Sequence, residues 1–425
     1  MNFSDSQRVS SALEDLGYER VRKPDEADVV VLNTCVVRQS AEDKATGYLS
    51  SLRPLKKKKP SMIINVMGCL VGVKDPVQLR QRFPYIDVFS PPSDPTPLIK
   101  YLKEHEDLQS ELALTDQRFE WMDNGFRLPK AEKGAVCAFI PVVYGCSHAC
   151  TYCIIPYRRG AEVSRPKADI IHEVQALASQ GVKEITLLGQ IVDRYGKDLT
   201  DGSTLASLLR ELHTIEGIER LRFLTSHPNW FNDELLNAVA ELPKIMPHFE
   251  LPAQAGDDEV LKNMRRGYTN SQYREMVAGI RERIPGSSIA TDIIVGFPGE
   301  TAEQFQKTYD LLADLKLDVA HLARYSTRPG TVADRHFPDD VPDEEKWNRF
   351  RLLEDLQEKI LTEKHAPYIN TVFPVLFEQK VKKRWKGRTP TNKLVFVETE
   401  ENLGSQVRQV KITWSGPWSL IGELV

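Results

Sequence analysis

The chain has 425 residues, a formal net charge of −4, and 41% hydrophobic against 27% charged positions. That length suggests about three domains, and the apolar share excludes a disordered acidic chain. No apolar run approaches the ~18 residues of a membrane span, and six cysteines in so long a chain do not read as a disulfide framework.

Residues 1–5 carry neither the basic nor the apolar region of a secretory signal, so a cytoplasmic protein is expected. Ser4 is placed to cap a helix in which Val9, Leu13 and Leu16 share one face and Gly17 ends the run. Residues 28–33 (DVVVLN) and 62–67 are continuous apolar runs, as buried parallel strands require. A helix near 41–52 and the lysine run 56–59 lie between them. This predicts a small doubly wound α/β domain over 1–120, one that opens on a helix where such folds normally begin with a strand. Residues 107–133 are polar and irregular and read as a linker.

From Ala138 a regular alternation begins. Strands are expected at 138–144, 184–189, 221–226, 247–252, 288–296 and 318–325, with amphipathic helices such as 168–179 between them. Six βα units predict a partial (β/α) barrel over 132–364, ending on a long helix at 343–364. A complete eight-stranded barrel is the alternative, but the spacing leaves little room for two more units. Short β-type runs at 372–377, 394–397, 407–412 and 418–424, separated by turns, then predict a small all-β barrel over 366–425.

The strongest chemical signal is GCSHACTYC, with Cys146, Cys150 and Cys153 spaced C-x3-C-x2-C directly after the first barrel strand. Such a loop can supply thiolates to three irons of a cubic cluster and leave the fourth open. Zinc is the rival, but a structural zinc wants four ligands, and His148 lies awkwardly inside the loop.

That loop is similar to the one in radical S-adenosylmethionine enzymes. The longer run GCSHACTYCIIPYRRGAEVSRP resembles their methylthiotransferases, as do TLLGQIVDRYG, ELPAQAGDDEVLKNMRRGYT, TDIIVGFPGET and ARYSTRPGT. KGRTPTNKLVFV resembles the RNA-binding module called TRAM. Arg159, Gly160, Ser164, Arg165 and Pro166, with Thr225, Ser226, His227 and Pro228, resemble the MiaB-type tRNA-modifying branch best. The resemblance covers nearly the whole chain. It implies a [4Fe–4S] cluster on Cys146, Cys150 and Cys153 whose open iron is chelated by the methionyl group of S-adenosylmethionine. Reductive cleavage of that cofactor then yields a 5′-deoxyadenosyl radical, and the protein positions and shields it.

Cys35 and Cys69 each follow an apolar strand, and in a doubly wound fold such strand ends share one crevice. On spacing alone they could equally be two separate buried thiols. The resemblance implies that they ligate an auxiliary [4Fe–4S] cluster that takes part in sulfur delivery. It also implies a third cysteine two positions before Met1, so the chain is expected to be a shortened form, cleaving cofactor while transferring little sulfur. Cys137 stands outside both motifs and reads as a plain buried thiol.

Tyr152, Gln190, Asp193, Gln254 and Asp292 fall near barrel-strand C-termini and are candidate cofactor contacts, although a structural polar role is as natural for each. Residues 189–193 read GQIVD where the family usually has GQNVN, which removes two amides and adds a charge. Gly296, Pro298 and Gly299 read as a backbone turn near the cofactor. Lys380, Lys382, Lys383, Arg384, Lys386 and Arg388, with Trp385 among them, form a candidate RNA strip that neutralises phosphates and stacks on a base. Lysines 56–59 are a weaker second patch.

The expected activity is methylthiolation of carbon 2 of isopentenylated adenosine next to the anticodon in tRNA. The runner-up substrates are threonylcarbamoyl-adenosine in tRNA and a ribosomal-protein aspartate. A non-catalytic iron–sulfur RNA-binding protein is the rival of a different class. Expected partners are tRNA and an electron donor such as flavodoxin or ferredoxin, with no membrane and a monomeric chain.

Overall fold

Three parallel strands, β1 (Val29–Thr34), β2 (Ile63–Gly68) and β3 (Val88–Ser90), pair in the order β1-β2-β3 near the N-terminus. The computed structural model describes residues 1–105, 130–132 and 134–425, so the expected linker lies almost wholly outside the described residues. The chain divides into two compact units. The first comprises Met1–Lys130, Tyr144–His148 and Cys153–Val163; the second comprises Ala131–Val143, Ala149–Tyr152 and Ser164–Val425.

In the first unit both faces of the sheet are covered, which is why its strands read as unbroken apolar runs. Leu49, Leu52, Ile64 and Val66 form one fully buried layer, while Val9, Met67, Leu98 and Leu102 form another. The first helix spans Asn2–Asp15, so Ser4 lies inside it and is buried rather than capping it. Its end does follow expectation: Gly17 takes φ +94° and Tyr18 N–H reaches back to Leu13 O at 3.0 Å. The second helix runs over Gln39–Lys58, continuing through Pro54 past the expected end. Within it Lys56 pairs with Asp87 at 2.8 Å, and the following Lys59 pairs with Asp28 at 2.6 Å. Two members of the candidate lysine patch are therefore engaged internally.

The second unit's first strand is β4 (Cys137–Pro141), and two short strands, β5 (Val143–Tyr144) and β6 (Val163–Ser164), follow it in sequence. Then come β7 (Glu184–Leu188), β8 (Arg220–Leu224), β9 (His248–Glu250), β10 (Ser288–Val295) and β11 (Val319–Arg324). Parallel sheets β4-β7-β8 and β9-β10-β11 are joined through a Leu221–Ile245 bridge and a Ser226 N–H to Glu250 O bond of 3.0 Å. Six parallel strands thus make a partial barrel with β4 and β11 at its edges. Thr204, Asn232, Thr269 and Thr301 cap the helices that follow, each side chain accepting a backbone N–H in the first turn.

A closed five-stranded barrel occupies the C-terminus: β12 (Val372–Val381), β13 (Arg384–Arg388), β14 (Leu394–Glu398), β15 (Val407–Ser415) and β16 (Leu420–Leu424), in the order β12-β13-β14-β16-β15. Val375, Phe377, Val395, Val397, Val410, Ile412 and Leu420 fill it. It docks on the N-terminal ends of the six parallel strands. Arg220 donates to Arg388 O and Pro374 O, and Arg222 to Pro390 O and Thr389 O, at 2.7–3.0 Å. Lys393 pairs with Asp318 at 2.8 Å, just before β11. The module thus covers that end of the partial barrel, opposite the C-terminal mouth where barrel chemistry is usually placed. Among the described residues no helix is long and apolar enough to cross a membrane.

Candidate active site

Position along a parallel strand decides what a polar side chain can do, because loops at the C-terminal ends converge on the mouth. Gln190 follows β7, and Asp193 follows two residues after a buried turn residue, Ile191. Both Asp193 oxygens accept the His227 N–H, at 3.0 and 3.2 Å. Asp193 thereby fixes the Thr225–His227 turn, in which Thr225 is held at φ +67°.

Gln254 also sits in the left-handed region, at φ +70°, with its backbone laced to Asp292 O and Ile294 N–H. Such a conformation is costly for a residue with a side chain and is common at ligand-binding positions. Asp292 lies on β10 two positions beyond Ala290, the register partner of Glu250 on β9, so both carboxylates share one sheet face. Burial, with the Asp292 charge adding to it, pushes the Glu250 carboxyl up to about 7. Glu250 was missed by sequence reasoning; only its place in the quoted ELPAQ segment hinted at it.

The cysteine loop is held by specific contacts. In the first unit Gly145 takes φ +65° against Ala161 O, where a Cβ would collide, and Cys146 N–H donates to Gly160 O at 3.1 Å. His148 N–H points at Cys146 Sγ, 3.4 Å away. In the second unit Thr151 is tied on three sides, donating to Met264 O and Asn263 O and accepting from Ala333 N–H. Beside it Arg266, almost fully buried, donates from Nη1 to Cys150 Sγ at 3.2 Å. Its other nitrogens reach the Tyr268 hydroxyl and Pro252 O, and Tyr268 in turn donates toward Pro252 O and Ala253 O. Burial works against the Arg266 charge, yet Tyr152, Tyr268 and Cys150 hold it above its ordinary value. Tyr152 is half-buried against the barrel core.

These observations test whether the loop suits a cluster. Its donor set is thiols, and two of the three sulfurs face N–H donors, one of them a buried cation. Such donors favour thiolates and tune a bound cluster. The residues fit the group. Arg266 is another residue that sequence reasoning missed, because its partner stands over a hundred positions earlier.

Cys35 and Cys69 are brought together in the first unit. Thr34 Oγ1 donates to Met67 O at 2.7 Å and accepts from Leu70 N–H at 3.1 Å, while Cys69 N–H donates to Thr34 O. Gly68 is required at φ +99°, since a Cβ would lie 2.6 Å from Thr34 O. Burial pushes the Cys69 thiol up, and the nearby positive charge of Arg159 opposes that. Arg159 also binds Asn2 Oδ1 at 2.6 Å and approaches Asp5 at 3.6 Å. Cys137 is half-buried at the start of β4, and burial together with Glu184 and Glu378 raises its thiol pKa. That is the inert setting expected of it.

The basic strip is spread over the β12–β13 hairpin. Lys382 and Lys383 form its exposed turn, with no ion-pair partner among the described residues. The rest is partly spent: Lys386 and Arg388 share Glu378, at 3.4 and 3.0 Å, Lys380 meets Glu400, and Arg384 meets Glu398. Trp385 packs on the barrel core, whereas Trp414 and Trp418 are 49% and 58% exposed. Gly296, at φ +71°, lies beneath the Lys346 stem, and its N–H donates to Glu300, which Arg349 binds at 2.8 Å. That turn is braced from behind.

Comparison with known proteins places this geometry. Residues 140–312 match the family described as the Radical SAM superfamily, and residues 1–90 match uncharacterized protein family UPF0004. The chain is similar to proteins named tRNA-2-methylthio-N(6)-dimethylallyladenosine synthase. The Roseiflexus sp. (strain RS-1) protein is 44% identical, over 100% of this chain and 87% of its own length. Those of Dictyoglomus thermophilum and Dehalococcoides mccartyi (strain CBDB1) are 46% and 43% identical, each over 100% of this chain and 96% of its own. Among solved structures, the radical S-adenosylmethionine methyltransferase TsrM from Kitasatospora setae, with tryptophan and aza-SAM bound, superposes with a TM-score of 0.53 at 16% identity. That match covers 75% of this chain and 70% of that one and shows a shared fold.

Proposed function

The chain belongs to the radical S-adenosylmethionine family of tRNA-2-methylthio-N(6)-dimethylallyladenosine synthases, and from that premise we propose that it adds a methylthio group to carbon 2 of isopentenylated adenosine next to the anticodon. The observation that carries this reading is identity of 42–46% over at least 99% of the chain, with relatives that all bear that name. The family uses S-adenosylmethionine and two [4Fe–4S] clusters. When bound, the loop cluster supplies the electron that cleaves S-adenosylmethionine.

The chain's own residues take the remaining roles. Cys146, Cys150 and Cys153 hold the loop cluster, and Arg266 orients and neutralises the Cys150 thiolate. Tyr152, Gln190, Gln254 and Asp292 bind S-adenosylmethionine at the mouth, where a neutral Glu250 can donate a hydrogen bond that a carboxylate cannot. Cys35 and Cys69 serve the auxiliary cluster, with the Arg159 charge beside Cys69 favouring its thiolate. A base in an anticodon loop is already unpaired, so it can be presented to the mouth without opening a duplex. Lys382 and Lys383 neutralise phosphates of that RNA. An electron donor such as flavodoxin or ferredoxin serves a monomeric, cytoplasmic enzyme.

The enzymatic reading is tested with anaerobically reconstituted protein, S-adenosylmethionine and a reductant. Formation of 5′-deoxyadenosine is expected. Its absence from protein carrying a full loop cluster would leave a non-catalytic iron–sulfur RNA-binding protein.

A further inference from the structure

At the mouth of the partial barrel one aromatic side chain stands out in solvent between two cations. Trp347, in the first turns of the helix Asp343–His365, is 42% exposed. The Arg324 guanidinium carbon lies over its ring, 3.8 Å from the centroid, and that of Arg351, one helical turn on, lies at 5.6 Å. Phe350 meets the ring edge-on at 5.7 Å and 81°, which fixes its orientation. Neither guanidinium has an ion-pair partner among the described residues, the acids of the same helix included. Lys346, by contrast, is buried and bound to Asp339.

The position matters as much as the composition. Arg324 is the last residue of β11, which pairs on one side only, with β10. Its C-terminal end therefore stands where the open edge of the barrel meets the mouth. A substrate too large to enter a closed barrel must approach along that edge. A half-exposed indole with a guanidinium stacked on it is a poor choice for solubility and a good surface for a flat, polyanionic ligand.

We propose that Arg324, Trp347 and Arg351 form a stacking platform for an unpaired nucleotide of the RNA substrate, separate from the basic hairpin of the closed barrel. The base extends the tryptophan–guanidinium stack, and the two unpaired cations take the adjoining phosphates. Duplex RNA offers the phosphates but no free base, so the platform distinguishes a loop from a stem. This rests on the reading of tRNA as substrate.

The test measures affinity for an anticodon stem–loop RNA and for a fully paired RNA of equal charge, using the full chain. Trp347→Ala is expected to weaken stem–loop binding by roughly 5- to 100-fold and to leave paired-RNA binding unchanged. Trp347→Phe should restore most of the affinity, and thermal unfolding should match wild type for both variants. Arg324→Gln with Arg351→Gln should lower the log–log salt slope by roughly one to two units. Equal stem–loop binding by wild type and Trp347→Ala, or an equal loss on both RNAs, would overturn the platform while leaving the substrate reading intact. A wild-type chain that binds neither RNA would overturn both.

Discussion

The two ends of the partial barrel carry the same kinds of residue and use them in opposite ways. At the N-terminal ends of the strands every buried charge described is answered. Arg222 pairs with Glu184 at 3.0 Å and reaches two carbonyls of the closed barrel, Arg220 reaches two more, and Asp318 holds both Lys364 and Lys393. At the C-terminal ends Glu250 and Asp292 crowd one another, Thr225 and Gln254 adopt left-handed backbones, and a buried arginine is aimed at a thiol. Charge at one end is consumed in docking a module. At the other it is kept in unrelaxed arrangements, the condition of a site that awaits ligands. The difference comes from position along the strand, not from residue type.

Breaking the mouth should have the larger effect on chemistry. Replacing Cys150 with Ala removes a thiolate, and 5′-deoxyadenosine formation should fall to background while the thermal transition stays in place. Arg266→Gln keeps some hydrogen bonding but loses the charge. As an outer-shell partner of Cys150 it should cost roughly 10- to 100-fold in cluster retention, read from iron and sulfide content after desalting.

Breaking the docking end should instead cost stability. Arg222→Met leaves Glu184 buried without its partner, a loss of about 3–5 kcal/mol in urea denaturation. Converting both residues to Met should recover most of it, because the stranded charge is then gone. A double variant as unstable as the single one would show that Arg222 acts through the carbonyls of the closed barrel alone.

One strand spans both regimes and sharpens the comparison. On β9, burial, with nearby cations adding to it, holds His248 down near 3, whereas burial and Asp292 push Glu250 up to about 7. The folded histidine stays neutral where the unfolded chain binds a proton below about 6.5, so its contribution is present above that pH and lost on acidification toward 3. The folded Glu250 keeps a proton that the unfolded chain releases above about 4.5, so its contribution is present below that pH and lost as the pH rises through 7. From about pH 4.5 to 6.5 the two slopes oppose. Glu250→Gln should unmask stability that rises with pH by up to ~1.4 kcal/mol per unit, and His248→Gln should unmask a fall of similar size. Denaturation midpoints across that window decide it.

The smallest effect is expected on the hairpin turn. Lys382→Ala with Lys383→Ala should weaken tRNA binding and flatten its salt dependence by roughly one unit of slope per lost contact. Adding Arg384→Ala should change little more, since Arg384 already meets Glu398.

Much of this architecture was legible because it repeats or is strongly patterned. The βα alternation located all six barrel strands, and unbroken apolar runs located β1 and β2. Three thiols in one short loop carried their chemistry in the spacing itself. What stayed hidden was short or long-range. β3 has three residues, too few for a pattern, and β13 reads RWKGR, a charge run whose pairing with β12 and β14 decides its conformation. Trp385 looked like a stacking residue beside lysines, but strand alternation turns it onto the barrel core. Arg266 and Arg159 find their sulfurs across long stretches of chain, and no local pattern announces such pairs.

The central claim is that this mouth serves methylthiolation of one tRNA adenosine, and mass analysis of tRNA nucleosides tests it most directly. Digests from a strain lacking the gene and from the same strain carrying it are compared. The account predicts that the 2-methylthio form of isopentenylated adenosine is present only with the gene, and that the unthiolated form accumulates without it. Identical digests, or a change confined to threonylcarbamoyl-adenosine, would contradict it.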